Sequence, residues 1–286
     1  MDTWKWYSTS ANEMTVPKTT STTTGPHTNY VIFAESEVPW DNKWINSKDG
    51  NPTNTWVSAL DFLFDKVNCN NKATPHEALA AITQYLHSGH GLTYHINGGQ
   101  SAYIQNAKFN LTNYINKRLG KTVNCYDQAG AVYVSSRMLG IHSEFVFMGQ
   151  TDYNGKPPFG YINATNLVGV GMCNNPFYPL ASGTNKVAFL NAPSGVTDLV
   201  SPNRTGFRNH AFARHSDLIF DACAGPYLGS SNLVGYATAS IDIASPQTRQ
   251  WSPDGIRWGG NTNGVFSITE VNNAVDPAMQ MVKGVQ

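Results

Sequence analysis

The chain reads as an α+β protein, with amphipathic helices in its first half and short strands after them. Apolar residues recur at three- and four-residue steps in several segments between residues 55 and 140, the spacing of amphipathic helices. From residue 143 onward the pattern shifts to short β-branched and aromatic runs bounded by polar turns, which read as strands. Helical patterns therefore come first and strand patterns after them, the order of an α+β chain.

Taken in order, residues 1–28 read as a flexible Thr-rich leader with Pro and Gly, and the remainder, 29–286, as a single domain. NYVIFAES (Asn29 to Ser36) has strand composition. A loop carrying Trp40 and Trp44 leads to a helix over TWVSALDFLFDKV (Thr55 to Val67). The clearest helix start is Thr74, Pro75, His76, Glu77, with a cap residue, proline at the first helical position and glutamate at the third. That helix runs to Gly89, and LTYHI follows as a short strand or turn. Asn106 to Gly120 reads as one amphipathic helix closed by glycine. The next helix begins at Cys125, buries a stripe of Ala129, Val132, Tyr133, Ser136 and Leu139, and ends at Gly140.

SEFVFMG then reads as a buried strand. Residues 150–208, rich in Gly, Asn and Pro, are long enough for an insertion or a substrate-side lid. NHAFARH and DLIFDAC read as two strands joined by a tight polar turn at His215 and Ser216. The C-terminal extension, 225–286, carries strand-like YATASIDIA and VFSITEV.

Composition narrows the function classes. Nineteen basic side chains balance nineteen acidic ones, and no Lys/Arg cluster is present, so the chain lacks the electrostatic footprint of a nucleic-acid partner. No apolar run approaches the length of a membrane span, and the first residues lack the basic start and apolar core of a signal peptide. Charged residues make up only 13% of the chain, a polar uncharged surface often met in secreted proteins. Cys69, Cys125, Cys173 and Cys223 follow no CxxC spacing, which argues against a zinc ribbon or a dithiol redox pair. Reduced thiols, or at most one disulfide, are expected.

Cys125 sits where a helix begins, and unpaired N–H groups together with the positive end of the helix dipole favour a thiolate there. On NHAFARH the side chains alternate faces, so His210, Phe212 and Arg214 share one side. Pairing with the next strand brings Asp221 toward His210. Nucleophile, base and orienting carboxylate thus appear in the chain order Cys125, His210, Asp221. Asp217 lies close to Asp221 in sequence, and Asp221 as a turn-capping residue is the plainer alternative.

The segments ALAAITQYLHSGHGLTY, NCYDQAGAVYVSSRMLGIHSEFVFM, NHAFA and LIFDA resemble, in order and context, the transglutaminase-like superfamily of the papain-like fold. The resemblance spans roughly Ala73 to Ala224. It implies Cys125 as nucleophile, His210 as general base and Asp221 as orienting acid, on a nucleophile helix packed against an antiparallel sheet. It further implies thioester formation from a protein or peptide amide, followed by transfer to an amine or to water, with no cofactor. The alternatives are a cysteine peptidase or amidase of the same fold, and a binding module that keeps the fold without turnover.

The resemblance leaves the oxyanion donors open. The backbone N–H of Cys125 is one candidate. Asn124, a tryptophan of the N-terminal loop, or a side chain near Tyr94 are others, and Leu119 stands where a papain-type glutamine would be. Tyr126 and Asp127 are candidates to support the nucleophile or simply to cap its helix. A competing cluster of His87, His90 and His95, with His76 upstream, invites a metal reading. Gly89 and Gly91 break any helix between them, so loop histidines are the expectation. Tryptophans 4, 6, 40, 44 and 56 fit a binding rim or the packing of a small N-terminal layer.

Overall fold

A computed structural model of the chain describes residues 5–8, 20–23, 30–33, 53–149, 160–162, 165–175, 188–189, 206–207, 209–242 and 284–285. Two compact units emerge, Met1–Ile32 and Phe33–Gln286. In the first, β1 (Lys5–Ser8) and β2 (Thr20–Thr23) pair antiparallel, so the Thr-rich leader contributes strands where a flexible segment was expected. Threonine is β-branched, which suits it to a pleated strand. Tyr30 to Phe33, read as a strand, is irregular, and the Phe33 N–H bonds the Leu139 carbonyl at 2.8 Å.

The second unit mixes helices and sheets. It begins with α1 (Thr53–Asp61), which continues into a π-helical turn over Phe62–Lys66, as the apolar spacing predicts. α2 (Pro75–Gln84) starts on a complete capping box: Glu77 N–H donates to the Thr74 hydroxyl, and the Glu77 carboxylate accepts from Thr74 N–H. It also passes into a π-helical turn, Tyr85–Gly89. β3 (Thr93–Tyr94) follows.

The single helix expected over 106–120 is not formed. Residues Asn106 and Ala107 take positive φ and turn the chain between β4 (Ile104–Gln105) and β5 (Lys108–Phe109). Asn110 then caps a short α3 (Leu111–Asn116), which stops when Lys117 adopts the left-handed conformation at φ 53°. The apolar spacing was real, but local side-chain capping and turn geometry divided the segment.

β6 (Thr122–Val123) pairs parallel with β3 and delivers the chain into α4 (Cys125–Met138), which ends at Gly140 with φ 71°. The expected stripe is buried, but so is almost everything else on α4: only Tyr126 and Arg137 are partly exposed. α4 is thus a central helix rather than an amphipathic surface one, and Ala129, Gly130, Ala131 and Ser135 leave room for neighbours to approach closely.

β7 (Glu144–Gly149) follows as expected. Within 150–208 the described pieces are β8 (Gly160–Ile162), β9 (Thr165–Leu167), β10 (Gly171–Asn175), β11 (Ala188–Phe189) and β12 (Gly206–Phe207); the lid reading otherwise lies outside the described residues. β13 (Asn209–His215) and β14 (Leu218–Asp221) form a hairpin whose two-residue turn, Ser216 and Asp217, has positive φ at both positions.

β15 (Tyr227–Asn232) completes a four-stranded antiparallel sheet in the order β15-β14-β13-β7. α4 lies across β13, β7 and β14, while α2 packs on β15, β14 and α4. YATASIDIA is not a strand throughout: its first part belongs to α5 (Leu233–Ser240), whose start is held by Asn232 accepting from Gly235 N–H at 2.9 Å. Alanine and this cap outweigh the strand-like pattern. β16 (Ile241–Asp242) and β17 (Gly284–Val285) pair with β8 and β5, and VFSITEV lies outside the described residues. No helix among the described residues is long and apolar enough to cross a membrane.

The turn between β13 and β14 can be tested. Serine and aspartate at positive φ are strained relative to Asn-Gly, so the double change Ser216→Asn, Asp217→Gly is expected to stabilise the protein by about 0.5–1 kcal/mol in urea unfolding. A loss of stability would contradict the turn geometry.

Candidate active site

Three elements meet at the N-terminal end of α4. β13 is paired with β7 from Asn209 opposite Gly149 to Arg214 opposite Glu144, and Arg214 bonds Glu144 across the pair at 2.7 Å. That ladder, with Ala211, Phe212 and Ala213 fully buried, fixes the position of His210. β14 returns antiparallel and places Asp221 so that its Oδ2 lies 2.7 Å from His210 Nε2. Cys125 completes the group: its thiol lies close enough to the His210 ring to favour the protonated imidazole.

The group is nearly dry, with Cys125 6%, His210 8% and Asp221 1% exposed. Asp221 is fully supplied with donors. Its Oδ1 accepts the backbone N–H groups of Cys223 at 2.7 Å and Ala224 at 3.1 Å, and its Oδ2 accepts from the Tyr236 hydroxyl at 2.6 Å as well as from His210. Burial alone would protonate this carboxyl; the adjoining imidazolium and these hydrogen bonds instead hold it below the usual carboxylate range. Burial likewise opposes a charged His210, but the Asp221 carboxylate and the contact with Cys125 raise its pKa from 6.5 to about 10. Such a site can hold an imidazolium beside a thiol and fix its orientation through a carboxylate.

The residues around Cys125 divide by role. Asn124 and Asp127 form a capping box: Asn124 Oδ1 accepts from Asp127 N–H at 3.0 Å and Asp127 Oδ2 from Asn124 N–H at 3.2 Å. Asn124 Nδ2 donates to the Gly99 carbonyl at 2.9 Å, so the side chain is engaged at both ends. Asp127 also accepts from Ser101 Oγ and from the N–H groups of Ala102, Tyr103 and Ile104, tying the 101–104 turn to the start of α4. Burial pushes this carboxyl up and the five donors oppose it. Asn124 and Asp127 therefore hold the helix start in place; for Asp127 this is the plainer of the two roles open to it from sequence, and for Asn124, an oxyanion candidate in sequence, it is a capping role.

Tyr126 does something else. Its hydroxyl donates to Asn209 Oδ1 at 2.6 Å, joining the residue after Cys125 to the residue before His210, and its ring stacks on Phe147 with centroids 6.1 Å apart. Asp217 sits in the exposed hairpin turn.

The histidines do not converge on a common point. Each is engaged separately: His87 Nδ1 with the Ala222 carbonyl at 3.1 Å, His90 Nε2 with the Tyr114 carbonyl at 3.0 Å, and His95 Nδ1 with Gln100 N–H at 3.2 Å. His76 packs edge-on to Phe220. Burial lowers the pKa of both His87 and His90, so they sit as neutral core side chains. No cluster of His, Cys, Asp and Glu able to hold a metal occurs among the described residues. Cys69, Cys125 and Cys223 are buried and outside any disulfide, and burial pushes the Cys69 thiol up to about 12. Trp4, Trp6, Trp40, Trp44 and Trp56 lie outside the side chains described, so neither the rim reading nor their part in an oxyanion site bears on this geometry.

Two residues at the site escaped the sequence reading. Asn209 precedes His210 directly, and only its register against Gly149 turns it toward Tyr126. Tyr236 was hidden by the strand assignment of its segment; the signal was the Asn232 cap three residues before Gly235. No family model, curated protein or solved structure matches the chain.

The ion pair makes stability depend on pH with a definite sign. An imidazole whose folded pKa is raised keeps its proton where the unfolded chain has released it, so its contribution is complete below pH 6.5 and is lost as pH rises toward about 10. Asp221, lowered, contributes above the ordinary carboxylate range and fails as pH falls through its folded value. Denaturant unfolding of wild type and His210→Gln between pH 6 and pH 10 is expected to show the wild type's advantage shrinking with pH. A difference constant across that range would contradict the pair.

Proposed function

We propose that this chain is a transglutaminase-like cysteine acyltransferase or hydrolase on a papain-like arrangement, acting on a protein or peptide amide. The observation that carries the reading is the chain of contacts from the Cys125 thiol to His210, and from His210 Nε2 to Asp221 at 2.7 Å. The helix-on-antiparallel-sheet setting of the three residues supports it.

In this reading the Cys125 thiolate attacks the amide carbonyl carbon, forming a C–S bond while the carbonyl π pair moves onto oxygen. The Cys125 N–H, in the first turn of α4 with no acceptor four residues back, is suited to receive that oxyanion, whereas the Asp127 N–H is taken by the capping box. As the intermediate collapses, the C–N bond breaks and the leaving nitrogen takes the proton of His210. The raised pKa supports this order, because the imidazole holds a proton to give. His210, now neutral, removes a proton from water or from an incoming amine as it attacks the thioester, and the thiolate departs. Asp221 stays ionised throughout and keeps the ring oriented.

Water as acceptor makes the reaction a hydrolysis or deamidation, and an amine makes it a transamidation. The two share every residue named and differ only in the second step. Casein incubated with a fluorescent amine separates them, since label uptake reports transfer while ammonia release without label reports hydrolysis. Cys125→Ala is expected to reduce both to background, and Asp221→Asn to reduce turnover about 100-fold or more with the fold retained. Activity surviving Cys125→Ala would refute the proposal.

A further inference from the structure

The Asp221 carboxylate is shared. Its Oδ2 receives His210 Nε2 at 2.7 Å and the Tyr236 hydroxyl at 2.6 Å, while Oδ1 is held by two backbone N–H groups of the residues that follow it. The tyrosine comes from α5, an element that supplies no other member of the site, and its side chain is fully buried. Its ring lies nearly parallel to His210, at 12°, and packs against Phe212 and Tyr227 at centroid separations of 4.7 Å each. A phenol so enclosed is kept un-ionised by burial, and by the neighbouring carboxylate, so it remains a donor.

A bare Asp–His pair in a dry site has a chemical drawback. The full charge of the carboxylate falls on one imidazole, and an imidazole held too firmly in its charged form gives up its proton poorly. A second strong donor on the same oxygen takes part of that charge. The backbone N–H groups on Oδ1 draw on the same charge, and Tyr236 adds a donor on the oxygen that faces the imidazole.

We propose, resting on the catalytic reading above, that Tyr236 is a positioning residue: its hydroxyl fixes which carboxylate oxygen faces His210 and tempers the basicity of the imidazole. This carboxylate and imidazole interact with Cys125 from α4, His87 from the turn after α2 and Tyr236, and Tyr236 in turn with Cys223 beside β14 and Tyr227 from β15. Of these five, Tyr236 is the side chain that donates to Oδ2.

The test uses the intact chain with ¹⁵N-labelled histidine. Tyr236→Phe keeps the ring among Phe212 and Tyr227 and removes only the donor. The His210 imidazole is expected to titrate about one unit higher than in wild type, with kcat in the amine-transfer assay down about tenfold and KM unchanged. Installing 3-fluorotyrosine at position 236 makes the phenol a stronger donor in the same packing, and is expected to move the His210 titration the opposite way. A tyrosine that only fills space would leave the titration unmoved in both variants, and that result, or a downward shift in Tyr236→Phe, overturns the proposal. Because the titration is read without turnover, an inactive wild type with the predicted shifts would refute the enzymatic reading and leave the role of Tyr236 standing.

Discussion

The buried carboxylate of Asp221 is the constraint around which this structure is arranged. A charged group 1% exposed is costly unless every lone pair finds a donor, and four donors surround this one. Supplying them requires β13 for the imidazole, the turn after β14 for the two N–H groups, and α5 for the phenol. Each of those elements must then be in place before the carboxylate can be buried. The same requirement explains why the turn after β14 is tied down further, through Val168 N–H to the Cys223 carbonyl at 2.8 Å and Gly225 N–H to the Asn166 carbonyl at 2.9 Å.

Around Cys125 a second buried carboxylate plays the matching part. Asp127 receives five donors and thereby fastens the 101–104 turn, the entry from β6 and the first turn of α4 to one point. The thiol is thus held from the helix side by a capping box, and the imidazole from the sheet side by the six-pair ladder between β13 and β7. The Tyr126–Asn209 bond joins the two sides across the site. Farther back, Gln128 donates to the carbonyls of Leu86 and Ala222 and accepts from Tyr114, so the residue after Asp221 is anchored to α4 and to the turn following α2. Polar groups that are fully partnered specify one arrangement, since any shift would leave several of them unsatisfied.

Much of this arrangement is legible in the sequence because it depends on local rules. Thr74-Pro-His-Glu announces its own helix, the glycine after Leu139 ends α4, and alternation along NHAFARH places His210 opposite its neighbours. What was not legible depends on competition between local patterns and tertiary partners. The apolar period over 106–120 suggested one long helix, but positive φ at Asn106 and Ala107 and the caps at Asn110 and Lys117 cut it into a hairpin and two turns of helix. α4 carries a stripe in sequence, yet small residues on its other faces allowed it to be buried on nearly all sides. Asn124 is an oxyanion candidate in sequence, but its side chain is engaged by the Asp127 N–H and by the Gly99 carbonyl, a partner distant in sequence. Tyr236 could not be read at all without knowing that its segment turns helical above the sheet.

The central claim is that Cys125 and His210 act as one chemical unit, and alkylation measures it without any knowledge of the substrate. The rate of iodoacetamide labelling at Cys125, followed by peptide mass from pH 5 to pH 9 in wild type and His210→Gln, gives the answer. Fast labelling of the wild type at pH 6–7 is expected, and its loss at those pH values in His210→Gln. Slow labelling below pH 8 in the wild type, or identical profiles in the two proteins, would contradict it.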